Sequence, residues 1–153
     1  MALPPFQVFF DSHRDEVIGF LTALVGPVDA DDCFQETFIS ALRAYPRLRA
    51  DSNLRAWVLT LARRKALDHY RARGRRAVPS DDLPEQPVPP PGDGEPQLWA
   101  AVRELPERQR AAVFLRYARD LPHRDIASVL ESSEDAARKN VSDGLKKLKE
   151  ALA

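Results

Sequence analysis

The stretch Asp29–Tyr45, DADDCFQETFISALRAY, decides how this chain is read. Its apolar residues Phe34, Phe38, Ala41, Leu42 and Tyr45 follow at spacings of 4, 3, 1 and 3, the stripe of an amphipathic helix. Asp29 stands where a side chain can cap the first turn, Asp31 and Asp32 favour the positive end of the helix, and Pro46 ends it. Before it, Phe6, Phe10, Val17, Leu21, Leu24 and Val25 predict a helix from about Phe6 to Val25, stopped by Gly26-Pro27. After the loop Arg47–Ser52, the residues Leu54, Trp57, Val58, Leu61 and Ala62 form the stripe of a third helix. That helix then turns basic through Arg63, Arg64, Lys65, Arg71 and Arg73 up to Gly74.

The charge along the chain is arranged in blocks. The 153 residues hold 23 Lys and Arg against 23 Asp and Glu, a net charge of zero that taken alone argues against a polybasic protein. Residues 1–42 carry one arginine against seven acids, and residues 43–76 carry eleven bases against Asp51 and Asp68, a net of +9. Residues 77–97 hold five acids and no base, and residues 98–153 return to +2. Neutrality is a cancellation. The cationic block combines arginines around a loop, a tryptophan and a basic helix. Phosphate binding needs clustered cations, and splayed bases need a plane to stack on. Trp57 reads equally well as a core residue.

Seven of the 13 prolines lie between Pro79 and Pro96 with Gly92 and Gly94, which predicts an extended linker outside any core. The expected organisation is all-α: two small helical domains, residues 6–76 and 98–153, joined by a Pro-rich acidic linker, residues 77–97. In the second domain, Trp99–Glu104 predicts a short helix and Pro106–Ala118 a longer one. Pro122 suits the first position of the next helix, which runs to about Leu130. Ser132 or Ser133 can cap a last helix carrying Ala137, Val141, Gly144, Leu145, Leu148 and Leu152. The last two helices make a helix-turn-helix pattern, which many small helical proteins also have without touching DNA.

Several function classes are set aside by composition. One cysteine excludes an intramolecular disulfide, and three scattered histidines suggest no zinc site. Cys33, on the apolar side of the second helix, reads as a buried thiol. Asp29, Asp31 and Asp32 lack the partners of a metal-dependent nuclease, so no enzyme, metal or cofactor is expected. The longest apolar run, Val17–Val25, is too short to span a membrane, and no basic stretch marks a signal peptide, so a cytoplasmic location is expected.

Residues 6–76 and 102–152 resemble the two domains of a bacterial RNA polymerase sigma factor of the extracytoplasmic-function type. The motifs are Asp29-Ala-Asp-Asp-Cys-Phe-Gln-Glu-Thr-Phe38 with Ala41-Leu42, then Leu54-Arg-Ala-Trp57, Leu61-Ala-Arg63 and Ala66-Leu-Asp-His69 with Arg71. They resume at Leu105-Pro-Glu-Arg-Gln-Arg110, Leu115-Arg-Tyr117 and Ile126-Ala-Ser-Val-Leu130. The resemblance implies a transcription initiation factor. Asp31, Asp32, Gln35, Glu36, Phe38 and Leu42 would dock on the clamp of core RNA polymerase, an acidic surface meeting a basic one. The loop from Arg47 through Arg49 and Ser52 to Asn53, with Trp57, would capture a flipped base of the promoter −10 element. Arg63, Arg64, Lys65 and Arg71 would hold the opened strand. Ser133, Arg138, Lys139, Asn140, Ser142 and Lys146 would face the −35 element. The linker would thread towards the polymerase active centre, mimicking nucleic acid, or serve as a plain tether.

The chain departs from the family pattern in three places. The helix-turn-helix turn, usually Gly and then an apolar residue, is Glu131-Ser132; Arg64 stands where an Asn is frequent; and Asn140, Ser142 and Asp143 dilute a helix that is usually basic. An alternative implied function is a sigma-like decoy that sequesters an anti-sigma factor or polymerase without promoter recognition.

Overall fold

A computed structural model describes residues 2–75 and 96–153, and the expected linker lies outside the described residues except for its last two positions. Seven α-helices are described: α1 (Phe6–Val25), α2 (Pro27–Ala44), α3 (Leu54–Arg75), α4 (Pro96–Glu104), α5 (Glu107–Val113), α6 (His123–Leu130) and α7 (Glu134–Leu152). No strand occurs among the described residues.

The first domain is a three-helix bundle in which α1, α2 and α3 pack on one another. Its centre is aromatic. Phe9 lies 5.2 Å from Tyr45 and 5.7 Å from Trp57, and Phe38 lies 4.8 Å from Phe10 and 4.9 Å from Phe34. The Tyr45 hydroxyl donates to the Pro4 carbonyl and ties down the chain ahead of α1. Gly26 turns the chain between α1 and α2 at φ 88°, a conformation that favours glycine, and Pro27 opens the next helix with φ already set. The expected Asp29 cap is not formed. Pro27 starts α2 two residues earlier, so Asp29 sits inside the first turn, and its carboxylate instead reaches α3 at Arg73 (3.0 Å) and His69 (3.1 Å).

In the second domain α7 crosses α4, α5 and α6. Gly144 allows the close approach, because a Cβ there would stand 2.5 Å from Val113 Cγ2. The helix expected over Pro106–Ala118 is α5 followed by a π-helical turn, Phe114–Ala118, which leaves Tyr117 exposed while Phe114 and Leu115 are buried. Pro122 precedes α6 rather than opening it. Of the two candidate caps for α7, Ser133 serves: its hydroxyl accepts from the Ala136 N–H at 3.1 Å.

The two domains share an apolar cluster, beside a smaller one of Val102, Leu105, Val113 and Leu148 within the second domain. Phe20 of α1 stacks on Phe114 at 5.9 Å, and α6 lies against α3, so Ala62 and Ala66 belong to the same buried cluster as Ile126 and Leu130. Domains of roughly 75 and 55 residues have small cores of their own, and docking them removes further apolar surface from water.

Candidate nucleic-acid interface

The exposed face of α2 changes character along its length. Asp31, Asp32, Gln35 and Glu36 are exposed, and one turn on stand Ile39 and Leu42, 49% and 55% exposed. Two half-exposed aliphatic residues thus continue the acidic part of this face. Phe38, singled out with them from sequence, points the other way: it is buried among Phe9, Phe10 and Phe34, so it supports the helix from beneath rather than offering contact. Cys33 is also buried. Burial, and then the charges of Glu36, Asp29 and Asp32, push its thiol up to about 11.

The loop ahead of α3 presents Arg47 and Arg49 to solvent, with Arg49 3.4 Å from Asp51 in an exposed pair of little energetic weight. Ser52 is half-buried, and its N–H donates to the Arg49 carbonyl. Asn53 caps α3, accepting the Ala56 N–H at 3.1 Å, and donates from Nδ2 to Asp125 of α6 at 3.3 Å. Trp57 is half-buried and packs against the aromatic core, 5.7 Å from Phe9 and 6.5 Å from Tyr45.

Along α3 the cations divide. Lys65 is half-buried and Arg71 is exposed, 3.8 Å from Asp68. Arg63 is buried: it donates to both carboxylate oxygens of Glu107 at 2.7 and 2.9 Å and to the Leu130 carbonyl at 3.3 Å. Arg64 donates from Nε to Glu131 Oε1 at 3.1 Å and also from Nη2 to the same oxygen. That pairing lowers the Glu131 carboxyl below its ordinary range and raises the Arg64 guanidinium.

Glu131 occupies the left-handed region at φ 53°, ending α6, with the Ser132 N–H donating to the Ala127 carbonyl at 2.9 Å. This is the C-terminal cap position that glycine usually fills, and a residue with a side chain is strained there by about 1 kcal/mol. Arg64 and Glu131, two of the positions at which the sequence departs from the family pattern, are therefore partners.

Further arginines lash the domains together. Arg110 donates to the Leu24 carbonyl (2.7 Å) and to the Tyr70 hydroxyl (2.6 Å), and Arg103 to the Thr22 carbonyl (3.3 Å), so two cations satisfy the carbonyl end of α1. Arg55 forks onto Glu16 at 2.6 and 2.7 Å and also donates to the Arg119 carbonyl at 2.7 Å.

The candidate −35 face lies elsewhere. Arg138, Lys139, Ser142 and Lys146 are exposed on α7, with Arg138 drawn to Glu134 at 2.7 Å and Asp135 at 3.8 Å. Asn140 donates back to the Ala136 carbonyl at 3.0 Å, and the Ser133 hydroxyl is engaged as the cap. Sequence reasoning did not single out Glu107 and Asp125, which look in sequence like ordinary solvated acids. For Glu131 a signal existed: an acid where the turn calls for glycine.

Residues 9–76 match the family described as Sigma-70 region 2, and residues 96–148 match Sigma-70, region 4. The chain is an extracytoplasmic-function RNA polymerase sigma factor. It is 30% identical to the ECF RNA polymerase sigma factor EcfG of Rhodopseudomonas palustris, over 93% of this chain and 86% of the relative. It is 27% identical to the RNA polymerase sigma-H factor of Pseudomonas aeruginosa, over 96% of this chain and 86% of the relative. Its fold matches the sigma factor RpoE in a co-crystal with the anti-sigma factor NepR from Bartonella quintana, with a TM-score of 0.83, 23% identity and 96% of each chain covered. It also matches CnrH in complex with the cytosolic domain of CnrY, with a TM-score of 0.73, 22% identity, and 96% and 86% covered.

The sigma factor is thus a transcription initiation factor that binds core RNA polymerase and promoter DNA, in a family without enzymatic activity of its own. Among the described residues no helix is long and apolar enough to cross a membrane, and no group of three or more His, Cys, Asp or Glu is arranged to hold a metal.

Proposed function

We propose that this sigma factor docks on the polymerase clamp through α2, reads and helps open the −10 element with the Arg47–Asn53 loop and α3, and touches the −35 element with α7. The observation that carries the docking is the α2 face itself, where Asp31, Asp32, Gln35 and Glu36 run into half-exposed Ile39 and Leu42. Acids steer the approach to a basic surface, and the aliphatic pair supplies burial once contact is made. Phe38 contributes by fixing the helix.

In the −10 role, Arg47, Arg49, Lys65 and Arg71 face phosphates, and the half-buried Trp57 ring offers a base a surface to stack on. Arg63, Arg64 and Asn53 join them once released from the second domain. On α7, Lys139, Ser142 and Lys146 reach towards DNA, with Arg138 held by the helix's own acids, while Ser133 and Asn140 shape the helix. The domain limits 6–76 and 98–153 belong to this reading, as do the linker's passage through the polymerase and a cytoplasmic site of action. An anti-sigma partner is part of it too, supported by the solved complex of RpoE with the anti-sigma factor NepR.

Sequencing of transcripts made by core polymerase with this protein tests the reading: shared motifs upstream of the starts are expected, and Lys65→Ala with Arg71→Ala should abolish opening while core binding persists. Lys139→Ala should weaken −35 binding by a factor that shrinks as salt rises. A decoy function has one observation in its favour, the occupation of Arg63 and Arg64 by the chain's own acids. Tight anti-sigma binding without a transcript from any promoter would establish it.

A further inference from the structure

We propose that α7 holds promoter DNA by its phosphates and discriminates little among −35 sequences, with Lys139, Lys146 and Lys149 as the contacts. The inference deepens the reading of α7 as a DNA surface and rests on it. A recognition helix reads base edges with the residues of its first turns, and the side chains best shaped for this are the planar fork of arginine and the amide of asparagine or glutamine. From Glu134 to Leu152, α7 has one arginine and one such amide, Arg138 and Asn140. Both are engaged by the helix itself. Asn140 donates from Nδ2 to the Ala136 carbonyl at 3.0 Å, and Arg138 donates to Glu134 at 2.7 Å with Asp135 3.8 Å away. The Ser133 hydroxyl accepts the Ala136 N–H as the cap.

An exposed pair such as Arg138 with Glu134 is weak, and DNA competes with it easily. Breaking it, however, leaves Glu134 and Asp135 unneutralised beside phosphates. Residues 133–138 hold two acids and one base, a net of −1, whereas residues 139–152 hold four lysines against Asp143 and Glu150, a net of +2. The two acids suit the positive end of the helix dipole, so they favour the helix and oppose DNA at the turn where bases are read. The attraction for DNA is displaced towards the other end of α7.

The lysines there are placed for the backbone. Ala137, Val141, Gly144 and Leu148, spaced 4, 3 and 4 apart, are buried. Lys139, Ser142, Lys146 and Lys149 follow one another at 3, 4 and 3, and all four are exposed. They form one stripe, about 15 Å from the first lysine to the last at the helical rise. None of the three lysines is in an ion pair with a described residue. An ammonium on a flexible stem is a point charge that meets any phosphate, and phosphate contacts fix register without carrying sequence information. Contact at −35 then adds affinity, and the choice among promoters falls to the −10 surface.

The test is transcription by core polymerase with the full-length protein from a barcoded template library. One promoter found by transcript sequencing keeps its −10 segment while its −35 segment is randomised, and transcripts are counted by their barcodes. A base pair that is read costs about fivefold or more when changed, and the expected spread at every randomised position is below that level. Lys146→Ala with Lys149→Ala should lower output from all members alike, about fivefold or more, by a factor that shrinks as salt rises. Arg108→Ala with Lys147→Ala removes the same charge from exposed residues off the stripe, Lys147 lining a cleft with Gln109 of α5, and should lower output less. Unchanged far-UV circular dichroism checks the fold of both variants. A preference of about fivefold or more at any position overturns the inference, even where the stripe variant still lowers output and so upholds α7 as a DNA surface. So does a loss in the off-stripe variant as large as in the stripe variant. Uniform output that the stripe variant leaves unchanged overturns the reading of α7 as a DNA surface, and the inference falls with it.

Discussion

Arg63 of α3 and Glu107 of α5 meet across the domain boundary as a two-pronged ion pair, 2.7 and 2.9 Å, with the arginine side chain 5% exposed. A buried charge whose partner is removed is far costlier than a pair that is absent altogether. Glu107→Leu alone should lower the unfolding free energy by about 3 kcal/mol, whereas Arg63→Met with Glu107→Leu should stay within about 1 kcal/mol of the parent. Urea denaturation of the two single variants and the double variant measures this, and a double variant as unstable as Glu107→Leu would contradict it.

Gly144 is a packing requirement. A Cβ on it would lie 2.5 Å from Val113 Cγ2 and 3.4 Å from both Gln109 Cβ and the Gln109 carbonyl oxygen, and a β-branched neighbour and a helix backbone yield little. Gly144→Ala should cost about 1–3 kcal/mol, seen as a lower Tm, and Val113→Ala in the same chain should recover part of it. A Tm equal to the parent's would show that α5 and α7 can separate freely.

Acid should weaken the first domain through His13. Burial lowers its pKa below the ordinary 6.5, with Glu16 opposing and Arg55 adding to the shift, and its ring lies 5.1 Å from Phe9. A depressed folded value means the unfolded chain takes the proton first. Stability is therefore complete above 6.5 and falls as the pH drops through the folded value. Glu131, also depressed, acts in the same direction at lower pH, from its ordinary 4.5 downward. His13→Gln should flatten the upper part of a stability-against-pH curve, and an unchanged slope below 6.5 would refute the assignment.

Ser133 is worth a helix cap. Ser133→Ala leaves the Ala136 N–H without its acceptor and should cost about 1 kcal/mol, while Ser133→Asp should hold stability. Chemical denaturation of both variants decides.

Glu36 lies exposed on the acidic part of α2, so Glu36→Lys should leave the fold intact and weaken binding to core polymerase about tenfold or more, most strongly at low salt. Core affinity by fluorescence anisotropy, with circular dichroism as the fold check, gives the outcome. Unchanged affinity would remove this face from the docking surface.

The helices themselves were legible from local pattern. Phe6, Phe10, Val17 and Leu21 mark α1, Gly26-Pro27 its stop, and the Phe34–Tyr45 stripe marks α2, because helical period and breakers act over a few residues. The block arrangement of charge and the motifs that assign the family are likewise properties of the chain read in order. Tertiary structure alone decided which member of each block is available. Phe38 shares the α2 pattern with Leu42 yet is buried, since which of two stripe residues lies at the centre depends on how Phe9, Phe10 and Phe34 crowd around it. Arg63 and Lys65 are near neighbours in a basic run, yet only Arg63 is sunk against Glu107, 44 positions away. Asp29 looks like a cap and is a tether to Arg73. Charge fixes what a side chain seeks over any distance, but burial and pairing are set by what the fold brings within a few ångströms, and no pattern along the chain encodes that meeting.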